Sequence, residues 1–187
     1  MAELSRAAEA FAAERFGEAA RILRPLRDRY PQAAGVLELL GLAQYRQGHY
    51  PAAAETLEAF RAATGSTEQH PVLMDCRRAQ RRYDEVERLW EELKAASPGA
   101  ELVAEGRIVA AGALADQGRL AEAIHLLEAK VDRLVAHPRE HHLRLWYALA
   151  DLLERSGDIP RARSLFERVA RADPRLADVA ERLAALG

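Results

Sequence analysis

No asparagine occurs anywhere in the 187-residue chain, and of its 27 basic residues only Lys94 and Lys130 are lysines. Asn and Lys codons are AT-rich while Arg, Ala and Gly codons are GC-rich, so the expected source is a bacterium with a high-GC genome. A single cysteine, Cys76, excludes an intramolecular disulfide framework. Aromatic residues make up 6% of the chain, too few for a sheet-type core, whereas abundant alanine suits helices that pack closely through small side chains. Neither sign of charge prevails: the formal net charge of −2 argues against nucleic acid as the main partner. No apolar run approaches the roughly 20 residues needed to cross a bilayer. The opening residues Met1, Ala2, Glu3, Leu4, Ser5 and Arg6 hold no basic region followed by an apolar stretch, so a cytoplasmic location without membrane attachment is expected. Also missing are a Gly-rich phosphate loop, a serine nucleophile elbow and a metal-protease His-Glu pair. Adjacent acids such as Glu91 and Glu92 point in different helix directions and cannot flank one reacting atom. Neither catalytic residues nor a cofactor are expected.

What the chain does contain is one pattern five times over. An aromatic or aliphatic anchor is followed by a small residue three positions on and a large apolar residue four beyond that: Phe16/Ala19/Leu23, Tyr50/Ala53/Leu57, Tyr83/Val86/Trp90, Leu120/Ala123/Leu127 and Ile159/Ala162/Phe166. The anchors lie 34, 33, 37 and 39 residues apart, the period of a helix-turn-helix solenoid unit. Apolar residues recur at three- and four-residue steps on either side of short turns, so each unit reads as two amphipathic helices. Gly48, Gly118 and Gly157 each precede an anchor by two residues, where glycine can end a helix in the left-handed conformation. Asp158 is placed to N-cap the helix that follows, with Pro160 in its first turn. Asp173 and Pro174 read as an N-cap and first helical residue. Behind them Leu176, Val179, Ala180, Leu183 and Leu186 form the stripe of a capping helix. His137-Pro138 interrupts the segment from Val131 to Glu140, which predicts an extended second helix in the fourth unit and a longer loop.

These residues resemble tetratricopeptide repeats. The last unit is nearest the family pattern, with Trp146, Leu149, Ala150, Leu153, Gly157, Ile159, Ala162, Phe166 and Pro174 in register. The second follows through Leu37, Leu40, Gly41, Gly48, Tyr50, Ala53, Leu57 and Phe60. The third departs at Met74 and Val86, and the fourth at Lys130. The resemblance implies an all-α, right-handed alpha-alpha superhelix of about five helix pairs plus a C-terminal capping helix. It would form a single domain over 1–187, with units at 1–33, 34–66, 67–100, 101–140 and 141–174 and the cap at 175–187. Gly41, Ala53, Ala111, Ala123, Ala150 and Ala162 should let backbones approach, and the large anchors should fill the space between units.

In that family the first helices line a concave groove that binds a protein or peptide. Carried onto this chain, the lining comprises Glu38, Leu42, Tyr45, Arg46, Asp75, Arg78, Ile108, Val109, Asp116, Tyr147, Asp151, Glu154 and Arg155. Apolar contacts from Leu42, Tyr45, Ile108, Val109 and Tyr147 would hold the partner, and Arg46, Arg78, Asp151 and Arg155 would set its register. The competing reading is a face filled by the chain's own terminal helix. The family's grip on chaperone C-terminal carboxylates is not expected, because Leu4, Ala8, Glu38 and Leu42 stand where clamp residues would be. Self-association into a homodimer is the alternative role. Nucleic-acid binding through Arg77, Arg78, Arg81 and Arg82, read as one broad helical face, ranks below it because Asp84, Glu85 and Glu87 follow at once. His137, His141 and His142 near Glu140 lack the paired spacing of a zinc motif and read as helix-end and loop residues, so no metal is expected. Cys76 reads as a small buried hydrophobe. Of the large aromatics, Trp90, Trp146 and Tyr83 read as core, leaving Tyr147 free for a partner.

Overall fold

The computed structural model describes residues 2–129, 131, 135 and 137–186. Among them, eleven helices and no strand occur. They are α1 (Ala2–Ala12), α2 (Phe16–Arg29), α3 (Ala34–Arg46), α4 (Tyr50–Thr64), α5 (His70–Ala79), α6 (Tyr83–Ala96), α7 (Ala100–Asp116), α8 (Leu120–Glu128), α9 (Glu140–Ser156), α10 (Ile159–Ala172) and α11 (Val179–Ala185). None of the helices among the described residues is long and apolar enough to cross a membrane. The chain divides into two compact units, Met1–Ser97 and Pro98–Gly187. Within the first, α1/α2, α3/α4 and α5/α6 pack as helix-turn-helix pairs, and α3 also meets α1, α2 and α5. Within the second, α7/α8 and α9/α10 pair, α7 and α8 pack on α9, and α11 lies on α10.

All five anchors are the first residues of the second helices: Phe16, Tyr50, Tyr83, Leu120 and Ile159 open α2, α4, α6, α8 and α10. The turn before each closes in the same way. Arg15, His49, Arg82, Arg119 and Asp158 donate their N–H groups five residues back, to the carbonyls of Ala10, Gln44, Arg77, Leu114 and Leu153. The residue before each donor is left-handed, so all five turns are Schellman closures that satisfy the orphaned carbonyls of the first helix. Gly48, Gly118 and Gly157 take that conformation with φ of 74°, 79° and 86°, as expected. In the first and third pairs the same place is held by Glu14 (φ 57°) and Arg81 (φ 59°), turns that carry no glycine signal. The Asp158 side chain caps α10 through the Arg161 N–H, 3.3 Å away.

The core follows the small and large members of the pattern rather than the anchors. Ala19/Leu23, Ala53/Leu57, Val86/Trp90, Ala123/Leu127 and Ala162/Phe166 are all buried, each 5% exposed or less. By contrast Tyr50 and Ile159 are more than a third exposed, and the other anchors are half-buried. The expectation that anchors fill the space between units is therefore corrected for Tyr50 and Ile159, whereas half-buried Leu120 does pack against the core. A side chain on the first residue of a helix leans toward its N-terminus, over the turn and away from the helix interface. There Phe16 stacks edge-on with Phe11 at 5.1 Å, and Tyr50 lies 6.0 Å from Tyr45. Gly41 marks a close approach of α3 to α4: a Cβ there would sit 2.5 Å from Leu57 Cδ2.

Glutamines finish two inter-pair junctions. Gln47 Nε2 donates to the Ala43 carbonyl one turn back (2.8 Å) and to the carbonyl of Phe16 in the preceding pair (3.3 Å). Gln80 repeats this with Cys76 (2.9 Å) and Tyr50 (3.4 Å).

Two boundaries differ from expectation. Asp173 closes α10, and its carboxylate accepts the Arg175 N–H at 3.0 Å, while Ala177 is left-handed at φ 50°; the cap helix therefore starts at Val179 instead of Pro174. A side-chain turn at Asp173 competes with helix propagation and wins. The described part of α8 ends at Glu128, and Ala129, Val131 and Val135, which the expected longer second helix would include, are not helical; the rest of that extension, at 130, 132–134 and 136, lies outside the described residues.

Candidate functional site

In the first unit, Glu38, Leu42, Tyr45 and Arg46 follow one another on α3 at steps of four, three and one, which places them on one face. Asp75 and Arg78 stand one turn apart on α5. The Tyr45 hydroxyl donates to Asp75 Oδ2 at 2.8 Å, and Arg78 Nη1 stands 3.4 Å from Asp75 Oδ1. Burial and the neighbouring Asp75 carboxylate push the Tyr45 phenol well above its ordinary value. Glu38 accepts a hydrogen bond from Gln69 Nε2 at 2.9 Å. Behind the face a buried polar pair, Thr56 Oγ1 and Gln44 Oε1 at 2.8 Å, ties α4 to α3. Arg46 turns away from α5, its guanidinium over the Phe16 ring at 4.6 Å and 3.7 Å from Glu14. Leu42 and Tyr45 are half-buried, leaving apolar surface between the charged groups.

In the second unit, Ile108 and Val109 on α7 are half-buried, Ile108 against the core, and Asp116 is exposed at the end of the helix. Tyr147, Asp151, Glu154 and Arg155 line α9. This face is partly covered by the chain itself. Tyr147 donates its hydroxyl to Asp178, and its ring meets Phe166 edge-on at 5.4 Å. Burial, then that bond, pushes the Tyr147 phenol up to about 12. Arg182 of α11 donates to Asp151 Oδ1 at 2.8 Å and Glu154 Oε2 at 2.7 Å, and Arg155 lies 3.7 Å from Asp151 Oδ2. Tyr147 was expected to be free and is not. The physical reason is that the segment after α10 folds back with Asp178 and Arg182 four residues apart, on one side of a helical turn.

Sequence reasoning did not single out Gln69, Asp178 or Arg182; the signal available was spacing, since Glu38 to Gln69, Asp151 to Arg182 and Tyr147 to Asp178 are all 31 residues apart, just under one repeat. The four arginines do not share a helical face, because α5 ends at Ala79 and Arg81 and Arg82 lie in the turn. Arg77 is buried and paired with Glu85 at 2.9 Å, Arg82 also pairs with Glu85, and Arg78 with Asp75. Cys76 is buried, and loss of hydration, with the charge of Asp75, raises its thiol to about 12, which keeps it protonated near neutrality. Trp90 and Trp146 are core residues, with the Arg168 guanidinium 4.0 Å from the Trp146 ring centroid. Of the three histidines, His142 Nδ1 accepts the Arg139 N–H at 3.0 Å in a capping box, His141 is buried and His137 is exposed. Among the described residues no three His, Cys, Asp or Glu side chains gather as a metal-binding group.

Comparison with known proteins places this architecture. Two family models, both described as tetratricopeptide repeat, match residues 4–67 and 114–186, together well over half of the chain. No curated protein sequence matches it. Among solved structures, a thermophilic tetratricopeptide repeat protein of Thermus thermophilus is 20% identical, with 98% of this chain and 96% of that one covered at a TM-score of 0.72. Pseudomonas aeruginosa pilF is 17% identical, covering 99% and 82% at 0.68. YrrB, described as a repeat protein with an unusual peptide-binding site, is 14% identical, covering 96% and 89% at 0.59. At these identities the likeness is one of fold. With the two sequence matches lying on helix-turn-helix pairs closed by the same turn, the chain belongs to the tetratricopeptide repeat family.

Proposed function

We propose that this protein is a non-catalytic interaction module of the bacterial cytoplasm that holds a protein segment or peptide on the face of its first helices. The observation that carries this reading is the first-unit face, where half-buried Leu42 and Tyr45 lie between polar groups already fixed by Asp75, Arg78, Glu38 and Gln69. Preorganised polar groups around a partly exposed aromatic lower the ordering cost of binding, and aromatic anchors carry much of the affinity at such surfaces. Ile108 and Val109 offer further apolar surface in the second unit, and the charged Asp116, Asp151, Glu154 and Arg155 would set the register of what binds there. YrrB, alike in fold, is itself described as having a peptide-binding site.

The test is selection of a displayed peptide library on the wild-type protein, followed by titration of the selected peptides against Leu42→Glu/Tyr45→Ala. Peptides that bind the wild type and lose at least about tenfold in affinity to the variant, a change of 1.4 kcal/mol, support the reading. Equal binding to both would move the working surface elsewhere. A chain that selects nothing and doubles its mass in light scattering on concentration would favour the homodimer.

A further inference from the structure

The segment after α10, residues 174–186, covers part of the α9 face without being held as a first helix is held. Val179 is its one buried residue; Leu176, Leu183 and Leu186 stay half-buried beside the second-unit core. By comparison α5, a first helix of ten residues, buries six of them. The seven residues of α11 are too few for a helix that stands by itself, so this turn depends on what it touches. Its entry is strained as well: Ala177 is left-handed at φ 50°, a conformation that a Cβ disfavours.

What holds the segment is polar, and it falls on residues expected to face a partner. The Tyr147 hydroxyl donates to Asp178. One turn on, Arg182 donates to Asp151 Oδ1 at 2.8 Å and to Glu154 Oε2 at 2.7 Å, its guanidinium 5.2 Å from the Phe166 ring centroid. The Arg182, Asp151 and Glu154 side chains are 24%, 32% and 27% exposed, and ion pairs that water reaches contribute little. Elements with few buried apolar contacts and exposed polar ones open at the low end of local stability. Once lifted, the segment leaves two carboxylates, Asp151 and Glu154, beside Arg155, which stands 3.7 Å from Asp151, and leaves the Tyr147 hydroxyl without this acceptor.

We propose that this segment is a displaceable internal occupant of the α9 face, and that the partner of the face is a short helical peptide of the same chemistry. Such a peptide carries an acidic residue that accepts from Tyr147, an apolar residue next to it, and an arginine one turn after the acid that bridges Asp151 and Glu154. The step from Asp178 to Arg182 puts acid and arginine on one side of a helical turn, and Val179 enters the core beside them. Arginine is selected over lysine because its fork makes contacts a point charge cannot: Nε and Nη2 of Arg182 both reach Glu154 while Nη2 also reaches Asp151. A tethered occupant competes at high effective concentration, so it sets a threshold that only a better-matched partner passes. The inference rests on the function proposed above for the α9 part of the surface, whose regulation and ligand chemistry it names.

The experiment titrates a synthetic peptide of residues 173–186 into the full chain, read by two-dimensional NMR. A host carrying Asp178→Ala and Arg182→Ala has lost the polar hold on its own segment. It should show saturable shifts at 147–155, half-saturated at a peptide concentration at least about tenfold below that needed by the wild type. A peptide copy with Arg182→Ala should bind this host at least about tenfold more weakly than the unaltered peptide. Equal binding to both hosts, equal binding of both peptides, no saturation, or shifts away from α9 would overturn the proposal. Amide exchange of the wild type in low urea needs no variant: α11 should exchange through an opening that urea does not accelerate, at least about tenfold faster than α10. One common rate for α10 and α11 that climbs with urea would show that the segment leaves only when the unit unfolds, and would overturn the proposal too. Neither measurement alters Leu42 or Tyr45 or needs a natural partner, so failure here and failure of the peptide selection are told apart.

Discussion

The hydroxyl of Tyr45 on α3 donates to the carboxylate of Asp75 on α5, 2.8 Å away, and at the far end of the chain Tyr147 on α9 makes the same bond to Asp178. The first bond joins the first helices of consecutive pairs. The second joins a first helix to the C-terminal segment, which occupies the seat a further first helix would take. Arg182, one turn beyond Asp178, completes the imitation by gripping Asp151 and Glu154.

Arg182→Ala should therefore loosen the terminal segment more than the fold. The pair is partly solvent-exposed, so a loss of about 1 kcal/mol is expected. Amide exchange is the measurement: protection should fall in α11 and along the outer side of α9 while α1–α6 stay unchanged. Unaltered protection in α11 would mean that Val179 and its apolar neighbours hold the segment alone.

Two glycine replacements should move stability in opposite directions. Alanine at Gly41 gains about 1 kcal/mol of helix propensity but drives a Cβ into Leu57, itself 1% exposed and unable to swing out, at about 1–3 kcal/mol. The net is a loss of about 1 kcal/mol. Gly17 lies exposed inside α2 with its nearest neighbour 3.7 Å from a Cβ, so Gly17→Ala should raise stability by about 0.5–1 kcal/mol. Urea denaturation of both variants decides; a stabilised Gly41→Ala would show that α3 and α4 can move apart freely.

Arg81→Gly should stabilise the chain. A left-handed arginine costs roughly 1–2 kcal/mol, against about 0.5–1 kcal/mol of added chain entropy for glycine, leaving a gain of about 0.5–1 kcal/mol. The thermal midpoint should rise by a few degrees. A lower midpoint would assign the Arg81 side chain a stabilising contact larger than the strain.

Stability should also fall as pH drops below about 6.5, the unfolded value of histidine. His70 is buried, and loss of hydration lowers its pKa even though Glu92 Oε2 is 3.3 Å away; Arg61, 2.8 Å from the same carboxylate, and Glu58 also face it. The unfolded chain then binds a proton that the folded chain refuses, so stability rises with pH across the window between the folded and unfolded values. His70→Gln should flatten that slope in denaturation curves between pH 5 and 7, and an unchanged slope would place the titrating group elsewhere.

Much of this was legible in the chain because it is local. Three- and four-residue apolar steps, the alanines one turn after each anchor, and glycines at three turns all act through neighbours within a few residues, and they sufficed for the helix pairs and their order. Turns at Glu14 and Arg81 take the same left-handed closure without glycine, tied by the Arg15-to-Ala10 and Arg82-to-Arg77 backbone hydrogen bonds. Anchors such as Phe16 and Tyr50, prominent in the pattern, proved to cover their turns, since burial depends on where a Cβ points at a helix start. The face residues were assigned to their helices from the family resemblance, yet which of them are engaged was decided in three dimensions. Tyr45 meets Asp75, Arg182 claims Asp151 and Glu154, and His141 of α9 comes to rest beside Glu101 of α7, all between residues 28 to 40 positions apart. Helix periodicity sets which side of a helix a residue occupies. The rotation and spacing at which two such sides meet depend on the volumes of buried residues such as Gly41, Leu57 and Phe166, and these decide which charges pair, which remain for a partner, and where a cavity is left.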